Sequence, residues 1–335
     1  MTDGSGAGGS YQVTAPDGIG EIQPGGNLAA VVASALTDLR DGDIVVVASK
    51  VVSKAEGRIV TGSDRLAAIA DETVREVARR GDTVIAQTRH GFVMAAAGVD
   101  ASNVALGSVV LLPVDPDASA RSLRAALRDR TGASVGVVVT DTFGRPWRNG
   151  QTDLAIGAAG VLAMESLAGA SDAYGNPLVV TAPAVADEIA SAGDLARTKL
   201  AGRPVALVRG LAHLTTADDG PGVAALVRLG PLDMFRFGHR EAVDAAYRLA
   251  TGTESVARFV DIDLSLLTDA LAAEPLLSEI TLVQSDLAEV PLTAPLAGND
   301  RHALVGRLAV LLAGHGFALS DPGDGSSLAV RQVAG

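Results

Sequence analysis

The residues best suited to do chemistry fall in three short stretches. The first is Thr140-Asp141-Thr142-Phe143-Gly144-Arg145-Pro146-Trp147-Arg148, which follows the apolar, β-branched run Val135–Thr140. Ligands of α/β sheets sit at the carboxyl ends of strands, so the carboxylate of Asp141 and the hydroxyl of Thr142 would emerge together where a ligand is expected. Hard cations such as Mg2+ and Mn2+ take such oxygen donors and usually bring a phosphate with them. Arg145 and Arg148, on either side of the only tryptophan, Trp147, have the fork geometry to clamp phosphate or carboxylate oxygens. A plain turn, with Asp141 capping backbone and the arginines solvated, accounts for the same residues without function. The second stretch, Gly98-Val99-Asp100-Ala101-Ser102-Asn103, offers a carboxylate for a metal and an amide for a ribose, base or phosphate, or simply an Asx-turn. The third, Ser49-Lys50-Val51-Val52-Ser53-Lys54, follows the run Asp43–Ala48. Its lysines can meet phosphates as point charges, or form a solvated basic turn.

Other chemistry is excluded or weak. The chain has no cysteine, so disulfides, thiolate metal sites and Cys nucleophiles are absent. Five scattered histidines argue against a His-rich zinc site, and a net charge of -12 argues against nucleic acid as a partner. Gly4-Ser-Gly6-Ala-Gly8-Gly9 matches G-x-G-x-x-G but lacks the strand before it and the helix after it that a dinucleotide needs. Ser134 in Gly132-Ala-Ser134-Val-Gly136 precedes a strand, whereas a hydrolase nucleophile follows one. No P-loop motif occurs. No apolar run reaches the ~18 residues of a membrane helix, and Met1–Ser10 lacks the features of a signal peptide. The expectation is a soluble, cytoplasmic protein with no membrane partner and a flexible tail over residues 1–10.

These residues must be positioned by buried strands and amphipathic helices. Asp43–Ala48, Val135–Thr140 and Pro204–Val208 read as strands buried on both faces. Leu66–Arg80 places Leu66, Ile69, Thr73 and Val77 on one helical stripe, and Ala120, Leu123 and Leu127 form another behind an N-cap at Ser119. Pro183 opens a third helix carrying Val185, Ile189 and Ala192. The fold class is mixed α/β (α+β), with strands too unevenly interleaved for a regular doubly wound sheet. Thr251–Ser255 reads as a linker to a small C-terminal α/β domain over residues 255–335. Within it we expect a strand at Ala257–Ile262, a helix from Ser265 to about Ala273, a strand near Ile280–Val283, a helix over about Arg301–Ala313, and a hairpin from Phe317 to Val333 turning at Asp321–Gly325. The main domain covers residues 11–250.

Taken together, the stretches resemble the coenzyme F420-0:L-glutamate ligase (F420:γ-glutamyl ligase) family. Nine segments match in family order: Gly18–Ile22 with Pro24-Gly25, Asp41–Asp43, Val52–Arg58, Ala97–Asn103, Leu111–Ala120, Val139–Arg145, Ala155–Gly157, Val185–Glu188 and Val208–Gly210. The resemblance implies an unusual α/β fold, a homodimer, and a ligase that uses GTP with Mg2+ or Mn2+, and K+ as a further ion. Its substrates would be L-glutamate and F420-0 or dehydro-F420-0, with further γ-linked glutamates added afterwards. By motif position Asp100, Asp141 and Thr142 would ligate metal. Ile19, Gly20, Glu21, Ile22, Ser49, Lys50, Lys54 and Asn103 would contact GTP. Arg145 and Arg148 are the candidates for gripping the acceptor's phosphodiester or the transferring phosphoryl. A nucleotide-binding regulator or scaffold of the same fold, and a metal-dependent nucleotide hydrolase, are the rival readings.

The sequence departs from the family in three places, the first being Ile19-Gly20 where the first motif usually has Leu-Pro. Some relatives carry a Glu or Gln metal ligand about eleven residues after the Ala-Asp-Glu motif, where this chain has Asp194-Leu-Ala-Arg-Thr-Lys199. Lys199 can supply positive charge there instead. Some actinobacterial relatives continue into a flavin-binding domain, but the tail after 255 is too short and lacks its opening motif, so no FMN is expected.

Overall fold

A computed structural model describes residues 9–62, 64–228, 233, 235–242, 259–260, 267–268, 271, 281–284, 287–292, 298–315, 317–320 and 327–333. The elements run β1 (Gln12–Thr14), α1 (Leu28–Ala35), β2 (Ile44–Ala48), α2 (Ser49–Ala55), β3 (Ile59–Thr61), α3 (Arg65–Glu72), β4 (Thr73–Arg80), β5 (Thr83–Thr88) and β6 (Val93–Ala95). They continue with β7 (Ser108–Val110), α4 (Pro116–Thr131), β8 (Gly136–Arg145), β9 (Arg148–Ala159), α5 (Val185–Arg197) and β10 (Val205–Arg209). After these come β11 (Phe259–Val260), β12 (Thr281–Gln284), β13 (Leu287–Pro291), α6 (Gly298–Gly314), β14 (Phe317–Ser320) and β15 (Ser327–Val333). Two compact units result: Met1–Glu76 with Thr83–Val227, and Val77–Asp82 with Arg228–Gly335.

The first unit is built on a five-stranded sheet in the order β1-β10-β2-β8-β9. Only β2 and β8 pair in parallel; the other neighbours are antiparallel. This matches the mixed α/β class expected from uneven interleaving. Ile44–Val47 and Val137–Val139 are fully buried, which requires cover on both faces of the sheet. The register shows which helix covers which face. Val47 pairs with Val139 and Val139 with Gly157, and a Cβ on Gly157 would sit 2.2 Å from the Pro116 carbonyl oxygen. That face therefore carries α4, and only glycine lets the start of the helix lie so close. Val46 points the other way, as strand alternation demands, and a Cβ on Gly193 in α5 would meet it at 2.7 Å. Smaller pairings, β3 with β7 and β5 with β6, complete the strands of this unit.

Several expectations need correction. The Leu66–Arg80 helix ends at Glu72, and Thr73–Arg80 is a strand. The β-branched Thr73, Val74 and Val77 lose rotamer freedom in a helix and suit a strand, and Thr73 leaves the helix with φ -90 and ψ 117. The α4 helix starts four residues earlier than Ser119 suggests: Asp115 is the N-cap, accepting from the Ala118 N–H at 2.9 Å, with Pro116 at the first position. The stretch after Ala48 is the helix α2 rather than a turn. The strand expected to stop at Thr140 runs on to Arg145 and forms a hairpin with β9, so the segment read as a loop is mostly strand.

In the second unit β11, β15, β13 and β12 follow one another across a sheet, with β14 also paired to β15. Leu304, Leu308 and Leu312, one helical turn apart on α6, bury against Phe317, Leu328 and Val330. The expected helix over about Arg301–Ala313 and the hairpin from Phe317 are both present. The expected linker Thr251–Ser255 and the turn Asp321–Gly325 lie outside the described residues, as do most of the expected helix from Ser265 and residues 1–8 of the tail. The Ala257–Ile262 strand is described at Phe259–Val260 alone. Among the described residues no helix is long and apolar enough to cross a membrane.

Candidate active site

Parallel pairing of β2 with β8 sets the ends of the two strands side by side, Ala48 opposite Thr140. The next residues, Ser49 and Asp141, are thereby neighbours although 92 positions apart, and the Ser49 hydroxyl donates to Asp141 Oδ1 at 2.9 Å. One step into α2, Lys50 Nζ lies 2.6 Å from Asp100 Oδ2 and 2.6 Å from Ser102 Oγ. One helical turn later Lys54, buried, holds Glu21 Oε1 at 2.5 Å and the Asn103 carbonyl oxygen at 2.7 Å. The loop that carries Ile19–Ile22 is tied to the same helix by the Gly25 N–H, which donates to the Ala55 carbonyl at 2.8 Å. Segments 19–22, 49–54, 100–103 and 141 therefore meet around α2, a convergence the sequence alone did not supply.

The second stretch is shaped by backbone as well as side chains. Ala96, Ala97 and Asn103 all have positive φ, and Asp100 forms an isolated bridge with Val110. The Asp100 carboxylate accepts from the Ser102 N–H at 2.7 Å and from its hydroxyl at 2.9 Å, so the Asx-turn is present. It also serves to aim Asp100 at Lys50.

The pKa values of two carboxylates here are shifted in opposite directions. Burial raises Asp100, but hydrogen bonds from Lys50 and Ser102 and the Lys50 charge outweigh it and leave Asp100 below its usual pKa. Asp141 is pushed up to about 6: burial is the largest cause, the charges of Asp153 and Asp100 add to it, and the Ser49 and Thr142 hydrogen bonds only partly oppose it. Asp141 is thus chiefly a buried carboxylate, with two acidic neighbours adding to the shift.

Thr142 is placed differently from Asp141. Strand alternation turns it to the opposite face, where its hydroxyl donates to Asp153 Oδ1 at 2.8 Å and lies 2.5 Å from Lys199 Nζ. Below it is a polar cluster that the sequence reading missed. Asp153 also accepts from Thr140 Oγ1 at 2.9 Å and from Arg197 Nη2 at 2.5 Å, and the Asp153 and Arg197 side chains are 5% and 4% exposed. A signal was available: Thr140 and Asp153 are polar residues inside otherwise apolar strands, and buried polar groups need partners. Lys199, at the position of the departure from the family pattern, brings an ammonium onto Thr142 and to 3.9 Å from Asp153.

Arg145 and Arg148 stand at the far end of the β8–β9 hairpin, directly opposite each other in the ladder. Arg145 is four residues from Asp141, about 13 Å along a strand. Its Nη2 donates across the tip to the Asn149 carbonyl at 3.3 Å. The structure therefore does not gather the two arginines into the cluster around α2.

Residues 18–210 match the family described as F420-0:Gamma-glutamyl ligase. The chain is 38% identical over 237 residues to the coenzyme F420:L-glutamate ligase of Methanopyrus kandleri, covering 64% of this chain and 94% of that protein. It is 39% identical over 245 residues to the protein of that name from Methanothermobacter thermautotrophicus, covering 66% of this chain and 96% of the relative. For the Archaeoglobus fulgidus protein of the same name the identity is 41% over 214 residues, or 58% and 86% of the two chains. The matched span contains every residue gathered around α2, and the chain belongs to the F420-0:γ-glutamyl ligase family.

Proposed function

We propose that this chain is an amide-bond-forming ligase that joins L-glutamate to the carboxylate of F420-0 at the expense of GTP, and then extends the product through γ-linkages. The observation that carries the proposal is the meeting of Asp100, Asp141, Lys50 and Lys54 from segments far apart in a chain of this family. A carboxylate is a poor acceptor for an amine. Transfer of the γ-phosphoryl of GTP to it gives an acyl phosphate and GDP; the amine of glutamate then attacks the carbonyl carbon, phosphate leaves, and the nitrogen loses a proton. Such transfers ask the protein mainly for positioning and charge neutralisation, which agrees with a site built of carboxylates, lysines and hydroxyls.

The donor set fits a hard divalent cation. Asp100 and Asp141 offer carboxylate oxygens, and Asp141 is a buried carboxylate with two acidic neighbours. Mg2+ is commonly bound through one or two carboxylates together with substrate phosphates. Among the described residues no group of three or more His, Asp or Glu gathers to hold a metal, so phosphate oxygens and water would complete the shell. When bound, the cation would neutralise charge on the phosphates. Lys50 and Lys54 would meet phosphate oxygens, each first giving up a carboxylate partner, Asp100 and Glu21. Ser49 orients Asp141. The Thr142 hydroxyl is engaged by Asp153 and Lys199, so its service as a ligand requires those bonds to rearrange. Lys199 supplies a fixed positive charge on that side. In this reading the active species is a homodimer.

The test is incubation of the purified chain with GTP, Mn2+, L-glutamate and F420-0, followed by mass spectrometry. A glutamate increment on the acceptor, lost in Asp141→Asn, is expected. GTP loss without an adduct would favour a nucleotide hydrolase instead, and nucleotide binding without turnover a scaffold.

A further inference from the structure

The tip of the β8–β9 hairpin carries an unusual group of residues. Trp147, the only tryptophan of the chain, is 87% exposed. Its φ is 65°, a conformation that suits glycine and is strained for a bulky side chain. Neither burial nor backbone preference accounts for a tryptophan there, and strain kept at an exposed position points to use. On either side of it, Arg145 and Arg148 are cross-strand partners. Like charges directly opposite destabilise a ladder, and an anion lying across them would offset the repulsion. Arg145 Nε is buried with no hydrogen-bond partner among the described residues.

An aromatic face beside a pair of guanidinium groups recognises a planar ring that carries a phosphodiester. Position agrees with this. Trp147 lies in the turn just past Arg145, where β8 ends about 13 Å along the strand from Asp141. A flat ring joined to a terminal carboxylate through a chain of about ten single bonds, with a phosphodiester on the way, spans roughly 15 Å when extended. The two lengths are comparable, so one such molecule can reach from the tip to the neighbourhood of Asp141. Arg145, hooked to Asn149 at the tip, is placed for the ring end of such a molecule rather than for a phosphoryl at Asp141.

We propose that the hairpin tip is the acceptor's headgroup site, with Trp147 stacking on the planar ring and Arg145 and Arg148 holding the phosphodiester. This rests on the reading that the chain's acceptor is F420-0. The experiment uses the full chain and the variants Trp147→Gly, Trp147→Phe and Arg148→Gln. Glycine suits the backbone at 147, so that variant removes the ring without disturbing the turn. Calorimetric titrations with F420-0, with GTP, and with a methyl phospholactate that lacks the ring are compared with steady-state kinetics.

Trp147→Gly should weaken F420-0 binding about tenfold or more, raise the KM for F420-0, and leave the KM for GTP and kcat unchanged. Trp147→Phe should restore binding to within about threefold, because a second aromatic face still stacks. The ringless phospholactate should bind the parent and Trp147→Gly alike, and Arg148→Gln should weaken both phosphodiester ligands. Unchanged F420-0 affinity in Trp147→Gly, or an equal loss for F420-0, GTP and the ringless compound, overturns the proposal. If the parent binds F420-0 at Trp147 but forms no adduct, the ligase reading falls and the headgroup site stands. If the parent ligates and Trp147→Gly matches it, the headgroup site falls alone. A parent that does not bind F420-0 sinks both.

Discussion

Asp153→Asn should destabilise the first unit severely, although the substitution changes almost no volume. Asp153 accepts from Arg197, Thr140 and Thr142 at 2.5, 2.9 and 2.8 Å. Both members of the ion pair are nearly inaccessible to water, at 5% and 4% exposure. Arg197 Nε and Nη1 are themselves buried without hydrogen-bond partners among the described residues, so Asp153 carries most of the compensation for that charge. Removing one member of a buried pair costs about 3–5 kcal/mol, because the other charge is left unpaired. An amide also turns an N–H2 toward one of the donors that an oxygen now receives. For a unit of this size each kcal/mol lowers Tm by about 2–4 °C, so the loss should be roughly 6–20 °C. Thermal melts followed by circular dichroism at neutral pH, on the parent, Asp153→Asn, Arg197→Met and the double variant Asp153→Leu/Arg197→Met, measure it. The double variant should recover most of the loss, since an apolar pair of similar volume often replaces a buried ion pair at little cost. The reasoning is refuted if Asp153→Asn melts within about 2 °C of the parent, or if the double variant loses the sum of the single losses.

Three further outcomes are expected. Gly157→Ala would place a methyl 2.2 Å from the Pro116 carbonyl oxygen, and since backbone must move, urea unfolding should report a loss of about 1–3 kcal/mol or more. Lys54→Met keeps the buried stem but removes the charge held between Glu21 and Asn103; under the proposed function the KM for GTP should rise about tenfold or more in steady-state assays, and an unchanged value would remove Lys54 from the nucleotide site. His90 should make stability fall in mild acid. Its Nε2 lies 3.0 and 3.1 Å from the Pro113 and Val114 carbonyls, while Nδ1 is buried with no partner among the described residues. Burial, the largest cause, and the nearby Arg89 charge depress its pKa, with the two carbonyls and Glu72 opposing. The native state therefore binds fewer protons than the unfolded chain below about pH 6.5. Stability from this group is constant above that value and declines as pH drops toward the depressed native pKa. Denaturant unfolding between about pH 5 and 7.5 should show the slope, and His90→Gln should flatten it.

The strands β2, β10 and the start of β8 were legible because runs such as Ile44-Val-Val-Val47 admit few other structures. Local pattern failed where two periods coincided. Leu66, Ile69, Thr73 and Val77 fit a helical stripe, while Thr73, Arg75 and Val77 also fit strand alternation, and the β-branched residues decided for the strand. The identities of Lys50, Lys54, Asp100 and Asp141 could be read from their segments, but their meeting could not. Ser49 reaches Asp141 only because β2 chooses β8 as its parallel neighbour, and no local spacing encodes that choice. Extension of β8 beyond Thr140 likewise depends on β9 returning beside it. That extension separates Asp141 from Thr142 and carries Arg145 away to the tip.

Val77–Asp82 belongs to one unit with residues from Arg228 onward. The Val77 carbonyl accepts from the Gly238 N–H at 2.8 Å, and Glu241 accepts from the Arg79 N–H at 2.9 Å. A ribosome reaches those partners on the order of 150 residues after it has made the strand, roughly ten to thirty seconds later. Throughout that interval the nascent chain presents an unpaired edge to chaperones and neighbouring polysomes. A chain ending at Val227 would make that transient state permanent.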